Sequence, residues 1–126
     1  MTEEIAQWLE IAAGDLDNAQ FLYERRWPRP LELICFLCQQ CAEKALKAYW
    51  IFHGVEPPRT HDVALLCEKC AEYSDVFQPW VAACQQLTPY AVQVRYPQEI
   101  EIIEEETVSA LQKAELILET VNKLVA

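Results

Sequence analysis

From Leu31 to His53 the chain runs without a proline or a glycine, and the run stops at Gly54. It is rich in Ala, Leu, Lys, Glu and Gln, so it forms one long helix. At about 100° per residue, Gln39, Gln40, Glu43, Lys44 and Lys47 fall on one stripe about 140° wide. Cys35, Cys38, Cys41, Ala42, Ala45, Leu46, Ala48, Tyr49 and Phe52 fill the rest of the surface. An apolar arc that broad needs several covering neighbours, which makes this the central helix of a bundle.

The flanking segments supply those neighbours. Ile5, Trp8, Leu9, Ala12, Leu16, Ala19, Leu22 and Tyr23 recur at three- and four-residue steps, giving a first helix over 3–26. Thr2 is placed to cap it, Glu3 and Glu4 suit its start, and Arg25 and Arg26 suit its end. Gly14 costs that helix some stability and points to a close helix–helix contact. Trp27-Pro28-Arg29-Pro30 stops the first helix, and Gly54 with Pro57 and Pro58 stops the second.

A third helix begins after Thr60 or Asp62 and buries Val63, Leu66, Cys67, Cys70 and Ala71. A fourth starts near Val76, tolerates Pro79 in its first turn, packs through Trp80, Cys84, Leu87 and Ala91, and is kinked by Pro89. The last runs from about Ile102 to Val125 on Thr107, Leu111, Ala114, Leu118, Val121 and Val125. No strand alternation appears. The expected fold is an all-α, antiparallel up-and-down bundle of four to five helices, as one domain over 1–126.

Charge narrows the choice of partners. The formal net charge is −10, a field that repels nucleic acid at long range and disfavours RNA as a ligand. Any anion must be met by a local cluster of cations. No apolar run is long enough to span a bilayer, and the start is acidic, without the basic end of a signal peptide. A cytoplasmic protein is expected. Cys35-x-x-Cys38-x-x-Cys41 and Cys67-x-x-Cys70 have metal-like spacing. They lie on the apolar phase of helices, where cysteine acts as a small hydrophobe, so neither a metal nor a cofactor is expected.

Several short motifs, in order along nearly the whole chain, carry a family resemblance. They are Asp15-Leu16 with Ala19, then Gln40-x-x-Glu43-Lys44-Ala45-Leu46-Lys47-Ala48, Gly54, Pro58-Arg59-Thr60-His61-Asp62, Leu87-Thr88-x-Tyr90 and Arg95-Tyr96-Pro97. The chain resembles the HEPN domain, a small helical family named for nucleotide binding. That resemblance implies a four- or five-helix bundle, usually dimeric. It also implies a minimal nucleotidyltransferase-like protein as partner, often in a toxin–antitoxin pair. Some family members are metal-independent ribonucleases with an Arg-x(4–6)-His motif. Here Arg95 is followed by no histidine at all, since the only two are His53 and His61.

The candidate ligand-binding residues are Arg95, Tyr96, Arg59, His61, Lys44, Lys47 and Gln40, and none is assigned a catalytic role. Arg95 suits a phosphate clamp or a pairing with Glu99. Arg59 and His61 suit an anion site at a helix start, or else Thr60 or Asp62 caps the helix and His61 packs on Trp50 or Tyr49. Lys44 and Lys47 belong either to a solvated face with a Glu43–Lys47 pair or to a contact surface bracketed by Phe36 and Trp50. Arg25, Arg26, Trp27 and Arg29 suit base stacking and phosphate binding, or a helix end where Trp27 tucks into the bundle.

Three functions follow. The first is a non-catalytic, homodimeric module that binds a nucleotide or a nucleotidyltransferase-like partner. The second is a metal-independent endoribonuclease using Arg95 with His61 as an atypical base. The third is a structural helical adaptor whose polar stripe is only surface.

Overall fold

A computed structural model describes residues 1–92 and 101–126. Among them are five α-helices and no strand: α1 Glu3–Arg25, α2 Leu31–Phe52, α3 Val63–Tyr73, α4 Trp80–Leu87 and α5 Glu104–Val125. Short 3-10 segments precede and follow α4, at Asp75–Phe77 and Thr88–Ala91. The all-α expectation is met.

The central role of α2 also holds. It packs chiefly against α1 and α5, with α3 across it. Ile34, Cys35, Cys38, Cys41, Ala42, Ala45, Leu46 and Ala48 are fully buried along its length. Most are small, which lets the neighbouring helices lie close. α1 meets this surface with Ile5, Leu9, Ala12, Leu16 and Ala19, and α5 with Ala110, Ala114, Ile117 and Val121. Each large apolar side chain buried this way stabilises the bundle by about 1.5–3 kcal/mol.

The helix ends follow the caps. Thr2 accepts from the Ile5 backbone N–H at 3.2 Å and starts α1. Asp62 accepts from Leu65 N–H at 3.2 Å and starts α3, while Thr60 accepts from Asp62 N–H at 3.1 Å. Gly54 takes φ +75°, a left-handed conformation open to glycine at little cost. There Gly54 N–H reaches Ile51 O at 2.9 Å and Val55 N–H reaches Trp50 O at 3.1 Å, closing α2.

Four expectations need correction. α4 begins at Trp80, not near Val76; Pro79, with no N–H, stands just before it, and Phe77 rather than Val76 is buried. Pro89 does not kink a continuing helix but sits in the 3-10 segment that follows α4. Gly14 has no close neighbour, since a Cβ there would meet nothing within 4 Å. Trp27 is not tucked in; it is 66 % exposed.

Trp27 instead covers Arg29. The Arg29 guanidinium lies 3.9 Å from the centroid of Tyr23 and 4.1 Å from that of Trp27. Its Nε donates to Tyr23 O at 2.6 Å, and it is ion-paired with Glu104. Arg29 therefore ties the α1–α2 turn to the start of α5 and is not free to hold an anion. No helix among the described residues is long and apolar enough to cross a membrane.

Candidate functional site

The polar stripe of α2 is the site, but it does not face solvent. Gln39 is fully buried, Glu43 is 2 % exposed and Lys47 8 % exposed. Side chains one turn apart satisfy one another. Gln39 Nε2 donates to Glu43 Oε1 at 3.1 Å, and Lys47 Nζ donates to Glu43 Oε2 at 3.2 Å. Lys44 Nζ donates to Gln40 Oε1 at 2.6 Å, and Gln40 Nε2 donates to Gln39 Oε1 at 2.7 Å. The segment between α2 and α3 contributes to the cover: Gln39 Nε2 also donates to the His61 carbonyl at 2.9 Å. A fully hydrogen-bonded network of this kind tolerates burial that a bare charge would not.

His61 completes the cluster. It does not pack on Trp50 or Tyr49: its Nδ1 lies 2.9 Å from Glu43 Oε1. Trp50 is occupied elsewhere, donating from Nε1 to Leu66 O at 3.0 Å. An ionised carboxylate only accepts, so Nδ1 carries the hydrogen and donates it. The His61 side chain is 73 % exposed, so a buried carboxylate orients an imidazole whose Nε2 is turned out of the network.

The electrostatics agree with an ionised Glu43. Burial pushes its carboxyl up, but hydrogen bonds from His61, Gln39 and Lys47, with the Lys47 charge, outweigh it and hold the group below its ordinary value. Asp15 on α1 is shifted the other way. Burial raises its carboxyl, Lys44 lowers it and Glu43 raises it further. The cluster thus extends from α2 to α1 through charge.

A cleft of about 200 Å³ adjoins the network. Trp8, Lys47, Ile51, Pro57, Pro58 and Arg59 line it, together with Glu4 and Glu56. Lys47 belongs to both places: it is bonded to Glu43 and lies 6.0 Å from the Trp8 ring centroid. The cleft offers an indole face, an ammonium and a guanidinium, a set that suits a planar ring carrying an anionic group.

Of the residues expected from sequence, Gln40, Lys44, Lys47 and His61 are joined in one cluster, and Arg59 lines the adjoining cleft. Arg95 and Tyr96 lie outside the described residues. Gln39 and Glu43 are the centre of the site, although sequence reasoning left Gln39 on the stripe and gave Glu43 only a pairing with Lys47 and a place in the family motif. Their four-residue spacing was the available signal. Trp8 carried none, since it reads as one more apolar residue of the first helix.

All six cysteines are buried. Burial pushes the Cys38 and Cys70 thiols up, and Cys41 up to about 12, which disfavours the thiolate that would bind a metal. Among the described residues, no group of three or more His, Cys, Asp or Glu is placed to hold a metal ion.

The comparisons with known proteins bear on this arrangement. None of the curated proteins matches the chain. Two solved structures are similar over nearly its whole length. One is TT1696 from Thermus thermophilus, at 28% identity and TM-score 0.79, covering 97% of this chain and 98% of that one. The other is ST0689, an archaeal HEPN homologue, at 26% identity and TM-score 0.75, with all of both chains covered. The family profile described as the HEPN domain matches residues 5–124. With that match across the helices that build the His61–Glu43 cluster, this chain belongs to the HEPN domain family.

Proposed function

We propose that this chain is a binding module of the HEPN family, dimeric and non-catalytic, that receives a nucleotide and works beside a nucleotidyltransferase-like protein. One observation carries the reading. In a chain of net charge −10, Lys47 and Arg59 line one cleft with an indole, beside Glu4 and Glu56, and the Glu43-oriented His61 follows Arg59 by two positions. Two cations meeting in one cleft of an acidic protein offer a small anion a local site where the overall field would repel a long polyanion. In this reading a base lies on Trp8 and phosphate oxygens meet Arg59, while the exposed His61 Nε2 is left to accept a hydrogen bond from a part of the ligand that extends beyond the cleft. The toxin–antitoxin role rests on the family resemblance alone.

Calorimetric titration with ATP, GTP, AMP and a short RNA tests it, with Arg59→Ala and His61→Ala as controls. Saturable binding of a nucleotide that both variants weaken, with each unliganded variant still folded by thermal melting, is the expected result. A ligand at a hundred times its Kd should also raise the stability of the fold by about 2.7 kcal/mol. No binding across the panel would overturn the nucleotide part. A co-purification with a nucleotidyltransferase-like protein then decides whether partner recognition stands alone.

A second reading, metal-independent RNA cleavage, is favoured by the same histidine. Breaking an RNA strand at its 2′-OH needs a base, and an exposed imidazole with its Nδ1–H on a buried carboxylate is oriented to be one. Incubation of RNA with the protein in a chelator decides it. Cleavage that disappears in His61→Ala would establish the activity, and inert wild-type protein at high concentration would remove it.

A further inference from the structure

The cleft at Trp8 is not lined by cations alone. Glu4 and Glu56 line it too, and among the described residues neither carboxylate has a hydrogen-bond or ion-pair partner. In a site that takes phosphate this is a cost, because carboxylates repel an anion at close range. A ligand offsets that cost if it carries hydrogen-bond donors as well as negative charge.

Helix α1 fixes where those donors must lie. Glu4 precedes Trp8 by four residues, a spacing that sets two side chains next to each other on one helix face. A ring stacked on the indole therefore turns one edge toward the Glu4 carboxylate. The other walls add few donors of their own. Pro57 and Pro58 have no N–H, Ile51 is apolar, and Lys47 is tied to Glu43 at 3.2 Å. Arg59 is the lining cation without a partner among the described residues, and its planar guanidinium suits the phosphate. Glu56, on the loop before Pro57, has no such fixed relation to the indole.

An ionised carboxylate only accepts, so the base that suits Glu4 presents donors along one edge. Guanine does. Its N1–H and its 2-amino group stand side by side, spaced for the two oxygens of one carboxylate. Adenine and cytosine set a ring-nitrogen acceptor beside the amino group, and uracil flanks its N3–H with two carbonyls, so each turns a lone pair toward the carboxylate. A site built around paired hydrogen bonds rejects analogues that cannot complete them. We propose that the cleft selects guanine nucleotides, with Glu4 reading the N1–H and 2-amino edge of a base stacked on Trp8; this rests on the nucleotide reading above and names its ligand.

Calorimetric titration of the full chain with GMP, IMP and AMP tests this, on wild type, Glu4→Gln and Glu56→Gln. IMP keeps the N1–H and lacks the 2-amino group. Both substituted side chains are exposed, and thermal melting checks that each variant is folded. The expected result is GMP binding about tenfold or more tighter than AMP, with IMP between them. Glu4→Gln should bring GMP down to the level of AMP, and Glu56→Gln should keep the preference. Nucleotides that bind wild type with no preference for GMP overturn the guanine inference while the nucleotide reading survives. A GMP preference that persists in Glu4→Gln, or that Glu56→Gln removes instead, overturns the assignment to Glu4. No binding of any of the three overturns both the inference and the nucleotide reading.

Discussion

α1 and α2 are nearly equal in length, at 23 and 22 residues, and both are amphipathic in sequence. Their largest departures from the usual pattern run in opposite directions, although α2 also leaves Leu33 and Phe52 exposed. α2 takes a lysine and a glutamate inside, and α1 leaves an isoleucine and a phenylalanine outside. On α2 the polar residues recur at the spacing at which one side chain reaches the next, so they can leave water together. On α1 the outward polar residues reach no shared partner, and the apolar ones among them gain nothing from the protomer. An amphipathic stripe thus fixes which residues share a face. Whether that face is dry depends on whether its members can satisfy one another.

The largest test of that contrast removes the acceptor at the centre of the α2 network. Glu43→Ala leaves Lys47 buried without its counter-ion and should cost about 3–5 kcal/mol, read as a shift in the denaturant midpoint. A loss below about 1 kcal/mol, the range of exposed pairs, would mean that the stripe is wet after all.

Acid should reveal the same carboxylate. Its folded-state value is held below the ordinary 4.5. Its contribution is therefore complete above that pH and is lost as pH falls through the lower, folded value. Glu43→Gln should lose less stability than wild type over that acid range in pH-dependent melting. Asp15 has the reverse sign, because its raised carboxyl makes the charged form unfavourable in the fold. Asp15→Asn should melt slightly higher than wild type at neutral pH.

Smaller effects sharpen the comparison further. Asp62→Ala removes the α3 cap and should cost about 1 kcal/mol in chemical denaturation. On the α1 side, Gly14→Ala should raise protomer stability by about 0.5–1 kcal/mol, measured at concentrations too low for association. A destabilised Gly14→Ala protomer would mean that position 14 is crowded within the chain itself.

Much of the bundle was legible in the sequence because apolar periodicity and stop signals agreed. The Leu31–Phe52 run, the Thr2 cap and the Gly54 stop all lie where side-chain chemistry put them. The α4 region was misread because Pro79 permits either a first helical turn or a break before it, and only the burial of Phe77 decides between them. In the site, the shared stripe of Gln40, Lys44 and Lys47 was legible, and its burial was not. What covers it is a segment Gln39 grips through the His61 carbonyl, a contact spanning 22 positions that no local pattern encodes. Trp27 failed for a similar reason. An indole beside three arginines looks either free or packed in the core, and here it lies against the Arg29 guanidinium.

The hydrogen bonds along α2 also have a direction. Lys44 gives to Gln40, Gln40 gives to Gln39, and Gln39 gives to Glu43. Every donor points the same way, so the two amides stand head to tail between an ammonium and a carboxylate. Reversing either amide would set like ends against each other at both of its contacts. The row therefore behaves as a polarised wire with a single low-energy orientation. An anion that drew Lys44 away would loosen one terminal, and the slack would pass through both amides to Glu43 and the imidazole it steers. The two ends of the row meet, since Lys44 Nζ stands 3.9 Å from Glu43 Oε2, so occupancy at Lys44 would be readable at Glu43 within about one helical turn, without any helix having to move.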